Sequence, residues 1–135
     1  DTAPFGIPET TVGIIGEAGI MHRAIRQLAH HIVMAMILTG ERIDAQQAER
    51  YGLVNEVVPF EKLAETAASW ADRIASGSPL AVHAAKDAVL SRAGRPLEVA
   101  LATREAPIEA YANSVDRLES PEAFAQKRAA QWTGR

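Results

Sequence analysis

Glu9 follows Pro8 in the segment FGIPETTVG, Phe5 to Gly13, where turn-forming backbone holds a carboxylate beside Phe5, Ile7, Val12 and Ile14. Apolar neighbours strip water from such a group and suit it to proton transfer near neutral pH. A first-turn glutamate that steadies a helix start fits the same spacing, and spacing alone favours that plainer role. Glu17, between Gly16 and Ala18, is the candidate second carboxylate. Two acids in unlike surroundings can titrate apart and divide acid and base work, although the dipole of a helix starting at Ala18 also accounts for Glu17. Phe124, Lys127, Arg128 and Trp132 gather aromatic and cationic groups that can meet a flat ring and a phosphate. An amphipathic helix with a solvated charged face has that composition too.

Other chemistries lack their residues. His22, His30, His31 and His83 miss the i, i+4 spacing that aims two imidazoles at one metal, and adjacent His30 and His31 point about 100° apart on a helix. Neither a phosphate-cradling glycine loop nor a G-x-S-x-G elbow is present. With no cysteine there is no thiolate nucleophile and no disulfide framework, which fits a reducing cytoplasm. A net charge of -3 argues against nucleic acid as a partner. The longest apolar run, Ile32–Leu38, falls short of the about 18 residues of a membrane span. At 135 residues and 47% hydrophobic content, one domain with a modest core is expected. The chain opens on DTAPFG, with neither a signal-peptide pattern nor an initiator Met, which fits excision from something longer.

The elements that must position these residues are mostly helical. Asp1–Gly16 is rich in proline and glycine, so extended segments and turns are expected, with Phe5–Pro8 as a strand end. Ile20, Ala24 and Leu28 share one helical face, and Ile32, Val33, Met36 and Ile37 continue it after a break near the histidines. Asp44 with Gln47 forms a capping box for a short helix reaching Tyr51, and Gly52 closes it. Leu53–Val58 reads as a strand ended by Pro59. A helix over Phe60–Ser76 carries Leu63, Ala67, Trp70 or Ala71, and Ile74 at helical spacing until Gly77. Ser78-Pro79 starts another, with Leu80, Ala84, Ala88 and Val89 inward. After Gly94–Pro96 a longer helix spans Leu97 to about Val115 with Pro107 as a kink or first-turn residue, and Ser120-Pro121 starts a last helix through Arg128.

Taken jointly, these residues resemble the crotonase, or enoyl-CoA hydratase/isomerase, superfamily. The resemblance rests on Phe5, Gly6, Pro8, Glu9, Gly13, Gly19 and Arg23. It continues through LTGERIDAQQAERYGLVNEVVP, Leu38–Pro59, and SPLAVHAAKDAV, Ser78–Val89, to the closing ESPEAFAQKRAAQWTGR. It covers essentially the whole chain. Glu17 and the closing QWTGR resemble the carnitinyl-CoA dehydratase-like group. Two positions depart from the family pattern: Gly16-Glu17 stands where Pro-Gly is usual, and Ile20 replaces the second glycine of a pair.

The resemblance implies a mainly α chain with one or two short strands, the C-terminal part of an α/β crotonase (ββα spiral) fold. It implies residues 1–59 as the end of the core with the glutamate segment and residues 60–135 as a helical oligomerisation region. The substrate would be a CoA thioester whose carbonyl becomes an enolate in an oxyanion hole, with no prosthetic group and with Glu9 transferring the proton. Phe124 and Lys127, with Arg128 behind them, would face the CoA of a homotrimer or dimer of trimers in the cytoplasm. The oxyanion donors and a second, water-activating glutamate are expected upstream of Asp1. The rival reading is a non-catalytic helical oligomerisation module or degenerate paralogue.

Overall fold

Apolar residues at helical spacing, bracketed by caps, become helices almost throughout the computed structural model, which describes residues 1–103 and 105–135. The described residues fall into two units, Asp1–Thr66 and Ala67–Arg135. The mainly α class stands.

In the first unit, α1 spans Ile20–Gln27 and α2 spans His30–Thr39. Leu28 and Ala29 adopt extended backbone between them, so the expected break separates two helices. Ala24, Leu28, Val33 and Met36 are buried with Ile7, Ile43 and Ala48, and Ile20, Ile32 and Ile37 pack around them. Burying a side chain the size of Val33 or Met36 contributes about 1.5–3 kcal/mol, so this cluster is the main cohesive force of the unit. Helix α3, Ala45–Arg50, starts on the expected capping box: Asp44 Oδ1 accepts from the Gln47 N–H at 2.6 Å, and Gln47 Oε1 accepts from the Asp44 N–H at 2.9 Å. It ends with Gly52 at φ 76° and the Leu53 N–H donating to the Ala48 carbonyl at 2.8 Å.

Leu53–Val58 is not a strand. Its N–H groups serve the helix instead: Leu53 and Val54 donate to the Ala48 carbonyl, and Val57 donates to Glu49 Oε1. The single β-type pairing among the described residues is an antiparallel bridge between Phe5 and Ile43, at 2.9 Å in both directions.

Helix α4, Leu63–Ala75, follows a 3-10 turn over Phe60–Lys62. Its apolar stripe is present but none of its residues is buried, and Leu63 and Ile74 face outward. In the second unit α5, Pro79–Arg92, begins as expected with Ser78 as cap and Pro79 in the first turn. Ala84 is buried and Leu80 and Ala88 are half-buried, but Val89 is exposed, contrary to its expected inward position.

The expected long helix from Leu97 is two short ones, α6 (Leu97–Ala102) and α7 (Ala106–Ala112), with Arg104 outside the described residues. Pro107 explains the division. It has no N–H to give the Thr103 carbonyl, which takes a bond from the Arg92 guanidinium at 2.8 Å instead. Arg92 also pairs with Glu105 at 2.9 Å, and Ser91 donates to the same carboxylate at 2.6 Å. These bonds from Ser91 and then Arg92 hold Glu105 below the ordinary carboxylate range.

The last helix, α8, spans Asp116–Ala125, with Pro121 inside it rather than at its start. The start lies earlier because Ser114 Oγ accepts from the Arg117 N–H at 3.2 Å and Asp116 is anchored on both carboxylate oxygens. The stop lies before Arg128 because Lys127 turns left-handed at φ 53°, with the Arg128 N–H reaching the Ala123 carbonyl at 3.1 Å.

Candidate functional site

Pro8 fixes the backbone before Glu9, and a 3-10 turn over Glu9–Val12 follows. Its bonds are local: Thr11 N–H to the Pro8 carbonyl at 3.0 Å, and Gly13 N–H to the Thr10 carbonyl at 3.2 Å. Gly13 closes it at φ 78°, a conformation that disfavours any residue with a Cβ. The turn is fastened to α2 by Thr10, whose hydroxyl donates to the Ile37 carbonyl at 2.5 Å. Gly40, at the end of α2, meets the same turn closely: a Cβ there would collide with the Thr11 methyl and lie 3.5 Å from Pro8 Cα. Both Gly40 and Gly13 are therefore conditions for where Glu9 sits.

The Glu9 side chain points inward. Its Oε2 is buried and has no hydrogen-bond partner. Buried carboxylate oxygens are normally paired, because leaving one dry and unpaired costs free energy. Oε1 lies 3.4 Å from the position a Cβ on Gly16 would occupy, within contact distance, so the carboxylate lies beside the backbone of Gly16. Glu17 is exposed in the turn over residues 17–19 that precedes α1, so the two carboxylates have different surroundings. No hydrogen bond joins them among the described residues.

Ile20, the first residue of α1, also belongs to this region, with its Cγ2 methyl 2.5 Å from the same Gly16 Cβ position. It also lines a cavity of about 440 Å³ together with Phe5, Ile7, Arg23, Leu28 and Leu53. The cavity wall is chiefly apolar, as acyl-binding sites are.

The C-terminal candidates behave differently from one another. Phe124 is 86% exposed, and Lys127 is also exposed. Arg128 is occupied: its guanidinium pairs with Glu119 through two bonds of 2.6 and 2.9 Å and donates to Gln126 Oε1 at 2.8 Å. The Arg128 bonds, then the Gln131 N–H, pull Glu119 down to about 2, and Glu119 raises Arg128 in turn.

Sequence reasoning passed over Asp116, which is 1% exposed. Its Oδ1 accepts from the Thr133 N–H at 2.7 Å and the Thr133 hydroxyl at 2.9 Å. Its Oδ2 accepts from Ser78 at 3.0 Å and the Gly134 N–H at 3.1 Å. Bonds from the Thr133 backbone foremost hold its carboxyl below the ordinary range. This is a structural clasp, tying the start of α5 and the last residues to the start of α8. Nothing in the local spacing marks it, since its partners lie 17 and 38 residues away. The histidines are all exposed, and no group of three metal-ligating side chains occurs among the described residues.

Comparison with known proteins places the chain in a family. The enoyl-CoA hydratase/isomerase family model matches residues 1–135. The 2,3-dehydroadipyl-CoA hydratase of Escherichia coli (strain K12) is 39% identical over 135 residues, covering 100% of this chain and 53% of that protein. The carnitinyl-CoA dehydratase of Proteus mirabilis (strain HI4320) is 37% identical over 139 residues, with the same two coverages. A crystal structure from Novosphingobium aromaticivorans DSM 12444, of a protein assigned as a short chain enoyl-CoA hydratase, superposes with a TM-score of 0.92 at 58% identity. That match covers 100% of this chain and 53% of the other. The chain therefore spans about half the length of the relatives it matches. Matched from end to end, it belongs to the enoyl-CoA hydratase/isomerase family.

Proposed function

We propose that the chain is the C-terminal portion of an enoyl-CoA hydratase/isomerase-like hydro-lyase acting on a CoA thioester through an enolate, with Glu9 as the acid/base group. The observation that carries this reading is the buried, unpaired Oε2 of Glu9. A carboxylate left dry without a partner is costly, and proton exchange with a bound substrate is a use that repays the cost. Family membership supplies the reaction class. In this reading the oxyanion donors and a second carboxylate lie in the rest of the enzyme, and Glu17 is the weaker local candidate for the latter role. The substrate brings the CoA, so no prosthetic group is required. Residues 1–59 carry the proton-transfer segment and residues 60–135 mediate assembly into a homotrimer or dimer of trimers in the cytoplasm. Phe124 and Lys127 serve the CoA side, and Arg128 steadies them through Glu119.

A second reading, a non-catalytic oligomerisation module, draws on a different observation: Phe60, Leu97, Leu101 and Phe124 all present apolar side chains to solvent. The two readings divide on Glu9. In the protein at its natural length, Glu9→Gln is expected to lower turnover of a crotonyl-CoA-type thioester by about 10²–10⁴-fold with assembly unchanged. Unchanged turnover in that variant removes Glu9 from the reaction, and a wild type without turnover favours the module.

A further inference from the structure

Ile20 is common to two features, the surroundings of the Glu9 carboxylate and the apolar cavity. A Cβ built on Gly16 would lie 2.5 Å from Ile20 Cγ2 and 3.4 Å from Glu9 Oε1, so that methyl and the carboxylate flank one point in space. Ile20 also lines the cavity of about 440 Å³, whose lining includes neither Glu9 nor Gly16. The residue is half-buried and packs on the cluster of Ile7, Ala24, Leu28 and Met36, so its rotamer is held rather than free to swing aside. Being β-branched, it has a stiff χ1, which fixes where the Cγ2 methyl stands.

We propose that Ile20 is a specificity-determining residue that limits the length of the acyl group accepted beside Glu9. The inference rests on the reading of Glu9 as the proton-transfer group. For that transfer the reacting carbon must come within about 3–3.5 Å of a carboxylate oxygen. The acyl carbons beyond it then have to pass the side chains around Glu9, and the Ile20 methyl occupies that place. Behind it lies an apolar cavity lined by Phe5, Ile7, Leu28, Met36 and Leu53, suited to hydrocarbon. With Ile20 present its side chain narrows the space beside Glu9, and short acyl groups are favoured. Removing the methyl joins the cavity to the carboxylate and admits a longer chain.

The test compares kcat/KM for crotonyl-CoA and trans-2-decenoyl-CoA in the protein at its natural length. Wild type, Ile20→Ala, Ile20→Leu and Ile20→Val are measured together, with Glu9→Gln as reference. Ile20→Ala is expected to raise the decenoyl-to-crotonyl ratio about tenfold or more, the scale on which apolar pockets discriminate methylenes. Ile20→Leu, which keeps the core volume but lacks the Cγ2 methyl, should move the ratio the same way even if the alanine variant does not fold. Ile20→Val keeps that methyl and should stay within about twofold of wild type. A wild type with Glu9-dependent turnover but a ratio that stays fixed in the alanine and leucine variants overturns the role of Ile20 alone. A wild type whose turnover does not depend on Glu9 overturns the underlying reading and this inference with it.

Discussion

At the scale of single residues, two carboxylates show how burial alone fails to name a role. Glu9 is buried on one oxygen with nothing to bond it, whereas Asp116 is buried with four donors satisfying both oxygens. The first arrangement leaves capacity for a substrate proton; the second uses all of it for structure. Asp116→Ala should therefore lower Tm and loosen the C-terminal residues, read as faster amide exchange at Thr133 and Gly134, because four donor groups lose their acceptor. Unchanged exchange there would contradict the clasp. Glu119 adds a pH signature. Its folded value, about 2, lies below its ordinary value of 4.5, so its stabilising contribution is complete above the ordinary value and fades as pH falls through that interval. Glu119→Gln should flatten the acid limb of the stability profile between those limits, and an identical limb in both proteins would count against the pairing. Glu9 stood out in sequence through the motifs that run the length of the chain, since its local spacing alone fits a helix-start glutamate. Asp116 did not, because its partners are distant in the chain.

At the scale of elements, boundaries written in neighbouring residues were readable and boundaries set by tertiary bonds were not. The Asp44–Gln47 box and the Ser78-Pro79 start appear as their spacing requires. Leu53–Val58 has strand composition, but a strand needs a pairing partner, and its N–H groups are drawn to Ala48 and Glu49 instead. Pro107 and Pro121 look alike in sequence, yet one sits in a first turn and the other inside α8, where the anchored Asp116 start carries the helix past it. Lys127 occupies the left-handed closing position usually given to glycine. Lys127→Gly is thus expected to stabilise the fold by about 1 kcal/mol, while raising KM for a CoA thioester if the ammonium serves the CoA side. Chemical denaturation and steady-state kinetics separate the two effects, and a destabilised variant would contradict the backbone cost. On the Glu9 side, Gly13→Ala should cost only its left-handed φ, about 1–2 kcal/mol, since nothing lies within 4 Å of the added methyl. Gly40→Ala adds a collision with Thr11 and should reduce both Tm and turnover further, because it shifts the turn that carries Glu9.

At the scale of the whole molecule, a mainly helical chain of 135 residues leaves large apolar side chains in solvent, among them Phe60 at 81% and Leu101 at 74% exposure. Such surface favours association. The 135-residue chain on its own should bind an environment-sensitive apolar dye or self-associate with concentration, and a dye-silent monomer would contradict that. The family was legible because its motifs run the length of the chain, and the match over residues 1–135 agrees. The inward aim of Glu9 and the nearness of Ile20 were not, since both depend on Glu9, Gly16 and Ile20 meeting in space. The most direct test of the central claim is hydration of crotonyl-CoA in D₂O by the protein at its natural length, followed by mass spectrometry. Wild type should place one solvent deuterium on the carbon next to the thioester as hydroxide adds to the β-carbon, and Glu9→Gln should slow that labelling by at least about 100-fold. Labelling by Glu9→Gln at the wild-type rate would contradict the account.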